Sequence, residues 1–155
     1  MINKDTIKFI GDVLTKSLPL ALLITLILQK NWWYLLYASI IYIAGMGIVE
    51  ILKGIFDAPR PRETVGGHVI YVHGWSMHDG NSLCSSHAMS ACLPAYFLLF
   101  TGPCYLFIVY FILSSICAWT RVYVKAHWPL DVIISNIIAF NLNLLAAYLT
   151  LLCDL

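Results

Sequence analysis

A chain of 155 residues that is 61% hydrophobic and only 11% charged stands far from a soluble domain, where about 45–50% apolar and about 25% charged residues are usual. That excludes a water-soluble globule. Nine Lys and Arg against eight Asp and Glu give a formal net charge of +1, too small a basic excess to neutralise rows of phosphates, which excludes nucleic acid as a partner. Five cysteines without a C-x-x-C spacing point to neither a disulfide scaffold nor a zinc site, and Cys92, Cys104, Cys117 and Cys153 read as packing residues.

The first apolar stretch runs from about Phe9 to Leu28 and is weakened by Asp12, Lys16 and Pro19. Residues 3 to 16 therefore fit either the start of a membrane span or a separate amphipathic helix lying at the interface. No small-residue cleavage pattern follows, so the segment reads as retained rather than as a signal peptide. A tight turn at residues 29 to 31 leads into a second span, Trp32 to Leu52, in which Gly45 and Gly47 beside Ala44 suit close helix packing. Glu50 is placed to pair with Lys53. The stretch Gly80 to Thr120 contains no Asp, Glu, Lys or Arg. At about 1.5 Å per residue it is far longer than a hydrocarbon core of about 30 Å requires, so it must fold back, and Thr101-Gly102-Pro103 is the turn. This gives spans from Cys84 to Phe100 and from Pro103 to Trp119. The last span, Pro129 to Leu152, places Pro129 at the first helical position. No strand alternation is visible, and lipid demands that backbone groups be satisfied internally. The expected fold is all-α, an integral membrane helical bundle of about five transmembrane helices, or six with a separate N-terminal amphipathic helix, in one domain over residues 1–155. Trp32, Trp33, Trp119 and Trp128 fall at span ends, where indole rings sit at headgroup level.

Two spans separate the polar loop 53–83 from the loop at 120–131, so both lie on one face of the membrane. The opposite face holds two tight turns and the C-terminus. Nearly all the polar chemistry of the chain is thereby gathered at one surface.

Three clusters stand there: Lys53, six residues, then Arg60-Pro61; Cys84-Ser85-Ser86-His87 at the start of the third span; and Arg121, five residues, His127, three residues, Asp131. Lys53, Arg60 and Arg121 are three cations beside a helix whose first-turn N–H groups lack partners, which makes an anion site. Arg offers bidentate contacts to phosphate, and the Ser85 hydroxyl and the Ser86 N–H add further donors. A carboxylate at Asp131 accepting the Nδ1 proton of His127 would leave Nε2 as the nucleophile, and His87 would act as general acid and then base. In this order the clusters resemble the three signature motifs of the type 2 phosphatidic acid phosphatase superfamily, K-x6-R-P, P-S-G-H and S-R-x5-H-x3-D. Cys84, Ser86 and Thr120 depart from the motif proline, glycine and serine. The resemblance covers residues 53 to 131, leaving the N-terminal third as generic membrane helix, and it implies the same roles for His127, His87 and Asp131 and phosphate binding by Lys53, Arg60, Ser85, Ser86 and Arg121.

No metal and no cofactor is expected. Asp57, Glu63, Asp79 and Asp131 form no D-x-D or D-x-x-x-D pair for magnesium, and three fixed cations supply the neutralisation a metal would give. His68, His73 and His78, five apart, share neither a helix nor a strand face and read as loop residues. The glycine-rich and aromatic loop from Arg62 to Leu83 suits a lid over a headgroup. A Cys84 nucleophile would leave His127 and Asp131 without a task, and haem ligation would need mid-span histidines.

The expected activity is metal-independent hydrolysis of a phosphomonoester or diphosphate of a membrane lipid through a phosphohistidine. The resemblance implies phosphatidic acid, phosphatidylglycerophosphate, undecaprenyl diphosphate or lipid A 1-phosphate as substrates, in a bacterial inner membrane. The alternatives are a lipid phosphotransferase of the same fold, or a non-enzymatic scaffold or channel. The expected partners are the lipid substrate and bilayer lipids, with no protein partner required. Lys and Arg concentrate on the catalytic face, which by charge bias alone would be cytoplasmic. The resemblance implies a periplasmic site, and we follow it because catalysis accounts for three of those cations.

Overall fold

The structure, a computed structural model, describes residues 3–56, 58, 60–61, 64–65, 68–69 and 82–152. Among them are five helices, α1 (Lys4–Leu28), α2 (Trp32–Ile55), α3 (Ser86–Thr101), α4 (Cys104–Tyr123) and α5 (Pro129–Leu152). Between α2 and α3, β1 (Thr64–Val65) and β2 (His68–Val69) pair antiparallel, a small departure from the purely helical expectation. The helices begin where the sequence offers caps: the side chains of Asn3, Asn31 and Ser85 accept from backbone N–H groups of the first turns of α1, α2 and α3. Gly102 and Pro103 separate α3 from α4, the turn expected at 101–103.

α1 is one continuous helix through residues 4–28, with Pro19 inside it. Residues 4–16 are therefore continuous with the rest of the first apolar stretch and do not form a separate helix. The charge that seemed to interrupt it is compensated, because Asp12 pairs with Arg121 of α4.

α1, α2, α4 and α5 are long and apolar enough to cross a membrane. α3, with 16 residues, is shorter and spans about 24 Å at 1.5 Å per residue. It is also the most enclosed, with Ala88 to Ala95, Phe97 and Leu98 all buried and contacts to each of the other four helices. The outer helices bury one stripe each, such as Ala38, Ile41, Gly45, Val49 and Lys53 of α2 at spacings of three and four. Their remaining faces expose Ile43, Leu145, Leu151 and similar side chains, as lipid solvation allows. The protein is an integral membrane helical bundle built around α3.

Close approach explains one glycine. A Cβ at Gly45 would stand 2.7 Å from Leu93 Cδ1, so the missing side chain lets α2 close on α3. Gly47 was expected to pack in the same way but faces open space. Cys92 and Cys117 are buried as expected, whereas Cys104, at the start of α4, is exposed. Cys153 lies outside the described residues. Trp32, Trp33, Trp119 and Trp128, expected at headgroup level, are all exposed.

Candidate active site

His127 sits in the five-residue connection between α4 and α5 with only 3% of its surface exposed. Its Nδ1 lies 2.9 Å from the main-chain carbonyl of Ser82. Asp131 Oδ2 is 3.7 Å away, outside hydrogen-bond distance. Asp131 thus keeps an ion-pair contact with His127 while the closer hydrogen bond on Nδ1 is with Ser82, and Asp131 Oδ2 accepts from the Trp128 N–H at 2.8 Å and from the Ser82 hydroxyl. The physical reason is position. Asp131 lies in the first turn of α5, and its carboxylate caps the N-terminus of its own helix. A carbonyl oxygen only accepts, so Ser82 holds the proton on Nδ1 and leaves the Nε2 lone pair for chemistry. Burial first, and then the charge of Arg60, hold His127 below the usual imidazole range, against the raising pull of Asp131 and the Ser82 carbonyl.

The first turn of α3 enters beside this pair. The Ser85 hydroxyl accepts from the Ala88 N–H at 3.3 Å, while the Ser85 N–H donates to Ser135 Oγ at 2.9 Å. Ser85 is fully buried and its N–H is committed to α5, so that N–H is not available to an anion. Cys84, fully buried with its Sγ 3.4 Å from Ser135 Oγ, is not placed as an exposed nucleophile. Its φ of 66° lies in the left-handed region, which a proline cannot adopt, so the departure from the motif proline has a backbone consequence.

The three cations are held in different ways. Lys53 is buried at the end of α2 and pairs with Glu50 at 3.3 Å, as expected. Arg60 is near enough to His127 to act on its protonation. Arg121, 3% exposed, donates from Nη1 to Asp12 Oδ1 at 2.9 Å, from Nη2 to the Lys8 carbonyl at 2.9 Å and from Nε to Thr120 Oγ1 at 3.3 Å. Thr120 therefore supplies the hydroxyl that a serine would. His87 Nε2 lies 3.2 Å from the same Asp12 oxygen. Of the residues expected at the site, His127, Asp131 and Ser85 form one connected group and Arg121 and His87 a second. Asp57, Glu63, His73, His78, Asp79 and most of the expected lid lie outside the described residues. His68 falls in β2. Among the described residues no three His, Cys, Asp or Glu side chains converge as a metal cluster would.

Two contributors were not foreseen. Asp12 had one available signal, an ionisable residue inside an apolar run, which by itself points to function. Ser82 had none. With α1 supplying Asp12, the N-terminal third is more than generic membrane helix.

Fold and site together define a class, a helical membrane protein with a buried, tautomer-fixed histidine and cations at one end of the bundle. The chain belongs to the PAP2 superfamily, the type 2 phosphatidic acid phosphatase superfamily, whose family model matches residues 31–152. It is accordingly a phosphatase of phosphate esters. No curated protein and no solved structure is significantly similar to it.

Proposed function

We propose that the protein is a metal-independent lipid phosphate phosphatase acting through a phosphohistidine on His127, in a bacterial inner membrane with its site toward the periplasm. The observation that carries this reading is His127 itself, buried beside a cation with Nδ1 tied to the Ser82 carbonyl. Its Nε2 attacks phosphorus as the bond from phosphorus to the lipid oxygen breaks, and His87 gives that oxygen a proton. Water then attacks, its proton passes to His87, and the N–P bond breaks to release phosphate and restore both histidines. Lys53, Arg60, Arg121, Ser85 and Ser86 offset the charge on the phosphoryl oxygens.

A lipid substrate is supported by an apolar groove of about 600 Å³ between α1, α2 and α3. Lys16, Ser86 and His87 line one end and Phe97 the other, ten residues further along α3, or about 15 Å. Exposed Leu20 and Ile43 flank it, so an aliphatic chain can enter from the bilayer while its phosphate reaches His87. Phosphate release is measured in detergent over phosphatidic acid, phosphatidylglycerophosphate, undecaprenyl diphosphate, lipid A 1-phosphate and soluble p-nitrophenyl phosphate. Faster release from one of the lipids names the substrate, and no release from any member sinks the reading. Transfer to an added alcohol in preference to water would make the enzyme a phosphotransferase.

Filling the groove tests its role. Ser39→Trp should raise KM for a long-chain lipid phosphate about tenfold, or about 1.4 kcal/mol, the contribution of roughly two buried methylenes. Turnover of p-nitrophenyl phosphate should stay unchanged. Equal effects on both substrates would detach the groove from the lipid chain.

Initial rates should be the same with and without excess EDTA, because fixed cations perform the neutralisation, and vanadate should inhibit by adopting the five-coordinate geometry. Activity lost in EDTA and restored by magnesium would overturn the metal-independent mechanism.

A further inference from the structure

We infer that Asp12 of α1 is a positioning residue that sets Arg121 as a two-pronged phosphate fork and couples it to His87, so that α1 is part of the catalytic apparatus; this rests on the phosphatase reading above. An arginine has five N–H donors. In Arg121 three are committed: Nε to Thr120, Nη1 to Asp12 and Nη2 to the Lys8 carbonyl. Among the described residues one N–H on each terminal nitrogen has no partner, and the three anchors fix the plane in which those two lie. This is the arrangement that bidentate phosphate binding needs. The same Asp12 oxygen faces His87 Nε2 at 3.2 Å, so one carboxylate sets the guanidinium and the acid against each other.

The fit of α1 against α4 is built for this contact. A Cβ on Gly11 would collide with Arg121 Nη2 and Thr120 Oγ1, so only glycine lets the helix come this close. On the next turn Thr15 Oγ1 meets Cys117 Sγ at 3.3 Å, and Ser90 Oγ donates to the Thr15 carbonyl at 2.9 Å, fastening α1 to α4 and α3. Yet α1 precedes the family match at residues 31–152 entirely. Arg121 opens the third motif, yet the orientation of its guanidinium depends on a helix outside the motifs.

The test compares wild type with Asp12→Asn and Gly11→Ala in detergent. Asp12→Asn should lower kcat by about 10- to 100-fold, the range for losing a group that orients a ligand-binding side chain. The loss should be greater on a long-chain lipid phosphate than on p-nitrophenyl phosphate, whose leaving oxygen scarcely needs the His87 proton. Adding Asp12→Asn to His87→Ala should cost less than it does in wild type. Gly11→Ala keeps the carboxylate but displaces the fork, and should show a similar loss in kcat. Orthovanadate binding by calorimetry needs no turnover and separates this inference from the substrate reading. Deleting a negative charge would by simple electrostatics tighten an anion, so about tenfold weaker vanadate binding in Asp12→Asn reports the lost orientation. Tighter vanadate binding, or unchanged kcat with lower KM, would show Asp12 to be a competing internal anion and overturn the inference. An effect equal on both leaving groups would reduce it to structural support and overturn it equally.

Discussion

His127→Ala should abolish turnover, a loss on the order of 10⁵-fold or more, together with any acid-labile phosphoenzyme formed from labelled substrate. No other described side chain combines a buried imidazole, a proton held on Nδ1 and a cation near enough to oppose protonation. The pH profile should follow. A lowered pKa keeps His127 neutral at pH values where an ordinary imidazole, with a pKa of about 6.5, is already charged. The acid limb of kcat/KM should therefore lie below that value. Asp131→Asn removes a group that raises this pKa, so the limb should move lower still. The rate should fall only on the order of 10²-fold, the scale of one lost electrostatic contact, because the Ser82 carbonyl still fixes the tautomer. A triad carboxylate that alone sets the tautomer costs about 10⁴-fold when neutralised. If Asp131→Asn proves as inactive as His127→Ala, Asp131 and not Ser82 controls the proton.

Arg121→Ala should lower kcat/KM by about 10³- to 10⁵-fold, the scale of a transition-state arginine in phosphoryl transfer. Two effects combine. The fork is lost from the phosphoryl oxygens, and among the described side chains Asp12 keeps His87 alone as an ion-pair partner. Lys at this position should recover little. An ammonium can restore the charge, but it cannot reach Asp12, the Lys8 carbonyl and Thr120 together while presenting two parallel donors. Substrate titration and vanadate inhibition check this side by side. Near-wild-type kcat/KM in Arg121→Lys would mean that positive charge alone suffices there.

Much of the fold was legible because its signals are one-dimensional. Charge-free length fixes how many crossings a stretch makes, and Asn31, Gly102, Pro103 and Pro129 mark the ends of helices through their own local chemistry. Counting crossings placed both polar loops on one face, and motif spacing found His127, Arg121 and His87. The same patterns left open whether residues 3–16 were a separate helix, because Asp12 and Lys16 look costly until their surroundings are known. They also misread Gly47 and Cys104, since hydropathy does not say which side of a helix meets a neighbour and which meets lipid.

The partners at the site were decided by tertiary structure alone. Arg121 reaches across 109 positions to Asp12, and His127 across 45 to the Ser82 carbonyl. Such pairings depend on the rotation and register with which α1 and the start of α3 pack against α4 and α5. In a bilayer the faces that meet and the faces that meet lipid are equally apolar, so hydropathy cannot encode that choice. Small residues such as Gly11 and a few interhelical hydrogen bonds make it instead.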